Sequence, residues 1–197
     1  MPAKTAYDKA PRVPESQVHT NEKVILIRRI SKVTAGGKHL RFNALVAVGD
    51  GMGHVGLGMG KADAVPDAVR KGTAIARRNI IRIPLKGTTV PHAVQYKYRA
   101  SVALLRPAVK GTGVLAGATM RALVELAGVK DILGKSLGNS NPINLARATM
   151  DALATLRDPD APGRRPARVQ SQPRPQAEDG APAPANTNPR SAPERSE

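Results

Sequence analysis

Residues 49 to 62, GDGMGHVGLGMGKA, set six glycines beside Lys61 within fourteen positions. Bare backbone amides next to a lysine are how many nucleotide-binding proteins hold phosphate. Gly51, Gly53 and Gly56 even satisfy the spacing G-x-G-x-x-G. The surroundings argue against that chemistry. A dinucleotide fold starts its helix inside the glycine turn and places an acid roughly 20 residues later for the ribose. Here Gly56 is followed by period-two alternation, and Arg77 and Arg78 occupy the place of the acid. A P-loop would need glycine at Val55 and serine or threonine at Ala62. The alternation instead reads as a strand, with Val55, Leu57 and Met59 on one face and Gly56, Gly58 and Gly60 on the other. A face without side chains admits a second backbone. That backbone is either this chain's own helix or an RNA sugar-phosphate strand.

Other reactive chemistry is sparse. The absence of cysteine excludes disulfides, thiolate zinc sites and a cysteine nucleophile. His19, His39, His54 and His92 share no ligand-like spacing, so no metal site is expected. No serine, histidine and acid pattern emerges, and neither catalysis nor a cofactor is expected. No apolar run approaches the roughly 20 residues that span a bilayer, and MPAKTAYDKAPRVPESQ lacks the apolar centre of a secretory signal. The expected compartment is the cytoplasm, with no membrane partner.

Charge is the stronger signal. The chain carries a formal +16, yet from Asp158 onward six arginines balance six acids. The whole surplus therefore lies on residues 1–157, where self-repulsion calls for a polyanionic partner. Tyr7, Phe42, Tyr96 and Tyr98 are the only aromatics. That is too few to stack single-stranded bases, so the contacts should be with phosphates, sugars and the shape of folded RNA.

The elements that position these residues are legible. Residues 1–21 read as a flexible arm with three prolines. EKVILIRRISKV and HLRFNALVAVGD are strands joined by TAGGK, whose Gly36 and Gly37 suit a hairpin loop. HVGLGMGK completes a three-stranded meander. VPDAVRKGTAIARRN follows as a helix, with Pro66 in its first turn and Asp63 or its loop as cap. Val65, Ala68, Val69, Gly72, Ile75 and Ala76 form its inner stripe, and Arg70, Lys71, Arg77 and Arg78 its outer one, with few acids at helical spacing to neutralise them. Residues 80–109 hold further strands, with a domain boundary near Lys86–Thr89. KGTGVLAG is a glycine loop, ATMRALVELAGV a helix stopped by Gly128, and KDILGKSLG a strand. SNPINLARATMDALATL is a helix with Asn141 as N-cap and Pro142 behind it. Residues 158–197 are too poor in apolar bulk to order and read as a disordered tail.

Three stretches, RRISKVTAGGKHLRF, VGDGMGHVGLGMGKA with VPDAVRKG and ARRN, and KGTGVLAGATMRALVELAGVKDILGKSLGNSNPINLARAT, resemble the family of the fifth protein of the bacterial small ribosomal subunit. The resemblance runs in order from Glu22 to Leu156. It implies an α+β chain of two small α/β domains: a double-stranded-RNA-binding-like domain at 22–86, with a three-stranded sheet and one helix, and a β-α-β-α domain at 87–157. It further implies a structural constituent that binds small-subunit ribosomal RNA where head and body meet. Ribosomal proteins four and eight would be its neighbours, messenger RNA would pass close by on its way into the subunit, and decoding accuracy would depend on it. The hairpin at Arg29–Lys38 would lie near head RNA and the spectinomycin site. Residues Lys110, Gly111, Thr112, Gly113 and Arg121 would face protein four. Lys110 and Ala118 depart from the family pattern there. The expected RNA contacts are Arg28, Arg29, Ser31, Lys32, Gly36, Gly37, Lys38 and Arg41 on the hairpin. Lys61, Arg70, Lys71, Arg77 and Arg78 follow around the first helix, and Asn139, Ser140, Asn144 and Arg147 around the last.

Overall fold

The computed structural model describes residues 5–14 and 21–157. The expected disordered tail at 158–197 and His19 lie outside the described residues. Strands β1 (Asn21–Thr34), β2 (Gly37–Gly49) and β3 (His54–Ala62) form the antiparallel meander read from the alternation. The sheet has a fourth strand beyond the three expected. β4 (Ile81–Arg82) pairs with the start of β3, giving the order β1-β2-β3-β4. Two residues are too short for a periodicity signal. The pairing forms because Ile80, Ile81 and Ile83 are drawn into the interior as the chain leaves the helix.

Helix α2 (Val65–Arg78) lies across this sheet, with Pro66 in its first turn. Its N-cap is Ala64, which offers no side-chain acceptor. Asp63, the expected cap, instead accepts from Arg41 Nε at 2.7 Å. Ala68, Gly72 and Ala76, four apart, make a ridge of small residues buried against β3. β-Carbons placed on Gly56, Gly58 or Gly60 would collide with the backbone of Ala68, Gly72 and Ala76. The glycine face is thus filled by the chain's own helix, which closes it to an RNA strand. So close an approach favours the smallest side chains, and Ile75, expected inside, stays 41% exposed at the rim.

In the second sheet, β5 (Val94–Tyr98), β6 (Ser101–Pro107), β7 (Val114–Leu115) and β8 (Ile132–Gly138) take the order β5-β6-β8-β7. β7, inside the stretch read as a glycine loop, runs parallel to β8 and is joined to it through helix α3 (Ala118–Leu126). Helix α4 (Pro142–Ala154) begins at the expected cap, where Asn141 Oδ1 accepts from the Ile143 amide at 3.3 Å.

The two sheets share one core. Leu45, Ala47, Val55 and Leu57 from the first pack into the same cluster as Ala103, Leu105 and Ile132 from the second and Leu123, Val124 and Leu145 from its helices. Each large aliphatic so buried contributes roughly 1.5–3 kcal/mol. The front half of the glycine stretch makes the seam. Gly51 and Gly53 donate their amides to the carbonyls of Leu126 and Ala127, each at 2.9 Å, and Gly128, at φ +86°, closes against Gly51.

Residues 5–14, expected to be flexible, are folded onto this seam. A four-residue helix, α1 (Ala6–Lys9), is too short to persist alone. Docking holds it: the Tyr7 amide donates to Asp151 Oδ1 at 2.8 Å, and the Tyr7 hydroxyl donates to Asn79 O at 2.6 Å and accepts from the Leu57 amide at 3.1 Å. Burial pushes the Asp151 carboxyl above its ordinary range, against the partial relief of that amide bond. Burial likewise raises the Tyr7 phenol. The arm continues with Val13 N–H donating to Ile80 O at 3.0 Å.

Candidate nucleic-acid interface

β3 pairs only with Phe42–Gly49 of β2, so the outer ends of β1 and β2, beyond Arg29 and Phe42, stand free as a two-stranded ribbon. Strand alternation divides its cations between two faces. Arg28 and Lys32 share a face with His39 and Arg41, and the row Arg28–Asn43–Lys61 adds Lys61 to it. Arg29, Ser31 and Lys38 share the opposite face with Val33 and Leu40. The hairpin cluster expected from sequence is therefore two rims of one exposed ribbon rather than a single patch. At its tip Gly37 takes φ +137°, the region that favours glycine, whereas Gly36 keeps an ordinary φ and faces open space.

The outer face of α2 presents Arg70, Lys71, Arg77 and Arg78, of which Arg70 and Arg77 pair with acids. Arg70 meets Asp67 at 3.3 Å. Arg77 Nη2 donates to Glu22 Oε1 at 2.7 Å, while Glu22 Oε2 accepts from the Thr73 hydroxyl at 3.0 Å. The scarcity of acids at helical spacing misled here, because the counter-ion arrives from β1. These exposed pairs are worth little in stability. Their effect is to fix where the guanidinium forks point.

The loop from Lys110 to Gly117 is organised by a residue the sequence did not flag. Asp131, buried at the head of β8, accepts from the Gly111 and Gly113 amides, each at 2.9 Å. The Thr88 hydroxyl, these two amides and nearby Lys110 hold its carboxyl below the ordinary range. Gly111 and Gly113 adopt φ +96° and +77°. Thr112 closes the turn by donating its hydroxyl to Val109 O at 2.7 Å, and Arg121 donates to Val114 O at 2.9 Å. Four of the five residues expected to face a protein neighbour, all but Lys110, thus make hydrogen bonds that shape this loop.

Asn139, expected to meet RNA, uses its side-chain oxygen to accept the Asn141 amide at 2.8 Å. It is part of the turn that starts α4. Ser140 is exposed and Asn144 half-buried. Exposed Arg147 holds its guanidinium 5.9 Å from the Tyr98 ring. This group sits on the second domain, where Arg147 lines a cavity shared with Ile75 and Asn79 at the end of α2. A smaller buried system supports the seam: Asp50 accepts from the Met52 and His54 amides at 2.7 and 3.1 Å and lies 2.6 Å from His54 Nδ1. Burial works against the Asp50 charge, yet these partners together hold its pKa below the ordinary carboxylate range. Among the described residues no group of histidines and acids could hold a metal, and no helix is long and apolar enough to cross a membrane.

A basic α+β body that spreads exposed arginines and lysines over a protruding ribbon and a helix back, with its one glycine-rich strand sealed by its own helix, defines the class of nucleic-acid-binding structural proteins. Residues 20–84 match the family described as ribosomal protein S5, N-terminal domain, and residues 96–164 match ribosomal protein S5, C-terminal domain. The chain is 50% identical over 153 residues to small ribosomal subunit protein uS5 of Dehalococcoides mccartyi strain CBDB1, covering 78% of this chain and 89% of that one. It is 57% identical over 136 residues to the protein of the same name from Thermus thermophilus, covering 69% and 84%. The corresponding Chloroflexus aurantiacus protein is 50% identical over 148 residues, covering 75% and 83%. The chain belongs to the ribosomal protein S5 family: a structural, RNA-binding constituent of the small ribosomal subunit and not an enzyme.

Proposed function

We propose that the β1–β2 ribbon and the outer face of α2 bind small-subunit ribosomal RNA where head and body meet, in the cytoplasmic ribosome. The loop Lys110–Gly113 with Arg121 faces ribosomal protein four, protein eight is a further neighbour, and messenger RNA passes close by as it enters. By holding head against body the protein tunes decoding accuracy. The domain limits taken for this reading are 22–86 and 87–157. The observation that carries it is the ribbon: Lys32 and Lys38 are exposed where no third strand covers it, and Arg28 and Arg29 are exposed at its base on the edge strand β1. Lysine and arginine in that setting neutralise phosphates and release counterions, and arginine forks grip phosphate oxygens in pairs.

The test is reconstitution of the small subunit with a chain carrying Arg28→Ala, Arg29→Ala, Lys32→Ala and Lys38→Ala. All four side chains are solvent-exposed, so folding is retained. Binding to ribosomal RNA should weaken, and the slope of log affinity against log salt should flatten by about one for each phosphate left without its cation. Undiminished binding with an unchanged slope would move the RNA surface elsewhere.

A further inference from the structure

The folded arm does more than cover the seam. Arg12, Val13, Pro14, Arg77 and Arg78 line one shallow groove of about 370 Å³ at the C-terminal end of α2, and among the described residues no acid is in its walls. Arg12 is held in place from two sides. Its guanidinium stacks 4.6 Å from the centre of the Tyr7 ring, and its Nη1 donates to Asn79 O at 3.0 Å. Asn79 follows Arg78 directly and also receives the Tyr7 hydroxyl, so one carbonyl ties the arm to the helix end. Arg12 is exposed, so its guanidinium can be reached from solvent. Glu22 balances Arg77, and Asp8 lies near Arg12, but neither lines the groove. The arm thereby adds to the helix end a further positive charge on a side chain already ordered.

We propose that Arg12, Arg77 and Arg78 form a phosphate-binding groove, assembled by the N-terminal arm, for the sugar-phosphate backbone of folded RNA. Arg12 lies outside the residues matched to either domain of the family. The groove is an extension of the RNA surface peculiar to the arm, and it rests on the RNA reading above. Three arginines along one groove suit phosphodiester oxygens, because guanidinium groups bind phosphate in pairs of hydrogen bonds. With few aromatics for stacking, the arm gains affinity without reading base identity.

The experiment measures binding of the full chain to small-subunit ribosomal RNA across a salt series. Variants are Arg12→Ala, Tyr7→Ala, which removes the ring that positions Arg12, and Lys9→Ala, which deletes a cation elsewhere on the arm. Arg12→Ala should flatten the log–log salt slope by about one, Tyr7→Ala should do the same, and Lys9→Ala should leave it unchanged. Urea midpoints identify any variant that is unfolded, and Arg12→Ala alone, exposed and foldable, decides the matter should Tyr7→Ala fail. A wild-type chain indifferent to salt sinks the RNA reading itself. A steep wild-type slope that Arg12→Ala leaves untouched, or that Lys9→Ala flattens equally, overturns the groove alone.

Discussion

Gly58 on β3 and Gly113 in the loop before α3 are the same residue in similar glycine-rich sequence, yet they exist for opposite reasons. Gly58 has no positive φ, and its restriction comes from outside: a β-carbon there would strike the backbone of Gly72 and Ala76. Gly113 has nothing within 4 Å of a β-carbon, and its restriction comes from its own backbone at φ +77°. One glycine brings two elements together; the other lets a loop turn. Gly36 forms a third case, with neither restriction.

The largest effect is expected where the obstacle is rigid. Gly58→Ala pushes a methyl group into a helix backbone that cannot relax without lifting α2 from the sheet. The cost should be about 3 kcal/mol or more, at the upper end of overpacking penalties. Chemical denaturation measures it directly. An unshifted midpoint would mean that the helix can rise freely and that the glycine face is not what seats it.

Much of this division was hidden in the sequence for a physical reason. Period-two alternation placed Gly56, Gly58 and Gly60 on one face of a strand, and helical spacing put Ala68, Gly72 and Ala76 in a wider inner stripe with Val65, Val69 and Ile75. Neither pattern contains the information that the two surfaces meet, so own helix and RNA strand stood as equals until the packing resolved them. Local signals also located both helix starts marked by Pro66 and Pro142. They failed where a partner lies far along the chain: Glu22 on Arg77, Asp63 on Arg41, and Asp131 on Gly111 and Gly113. The arm was missed likewise, because Tyr7 finds its slot only once both domains are in place. Composition, which counts charges without locating partners, was enough for the RNA-binding class and too coarse for the grooves.

An intermediate effect is expected where the restriction is conformational. Gly113→Ala must adopt a left-handed backbone, costing about 1–2 kcal/mol, and the loop should loosen without disturbing the first sheet. Amide exchange resolves the two regions: faster exchange at Gly111 and Gly113 with β2 and β3 unchanged is the expected pattern. Equal loosening of both would show that the loop is part of the core.

The same loop should respond to acid. The folded-state pKa of Asp131 lies below its unfolded value, so its contribution is fully present above about pH 4 and is lost as pH falls through the folded value. Asp50 acts in the same direction. Asp151, raised by burial, acts in the opposite one, its penalty easing as pH falls. Asp131→Asn should therefore lower the urea midpoint at pH 6 and differ less from the parent chain at pH 3. A difference that persists at pH 3 would assign the role of Asp131 to shape rather than charge.

The smallest effect belongs to Gly36. A methyl group there meets open space, and the backbone angle is one that alanine accepts. Gly36→Ala should change stability by less than about 0.5 kcal/mol, or raise it slightly by restricting the unfolded chain. Any marked defect in ribosomal RNA binding by this variant would then arise from the RNA side of the contact. Bulky residues at Gly36 and Gly37 together carry that argument further. Gly37 adds backbone strain at φ +137°, while side chains at Gly36 would stand between the ribbon tip and whatever it meets. Loss of RNA affinity with an unaltered second domain would place a close contact at the tip. Retained affinity and an unaltered response to spectinomycin would confine recognition to the cation-bearing rims behind it.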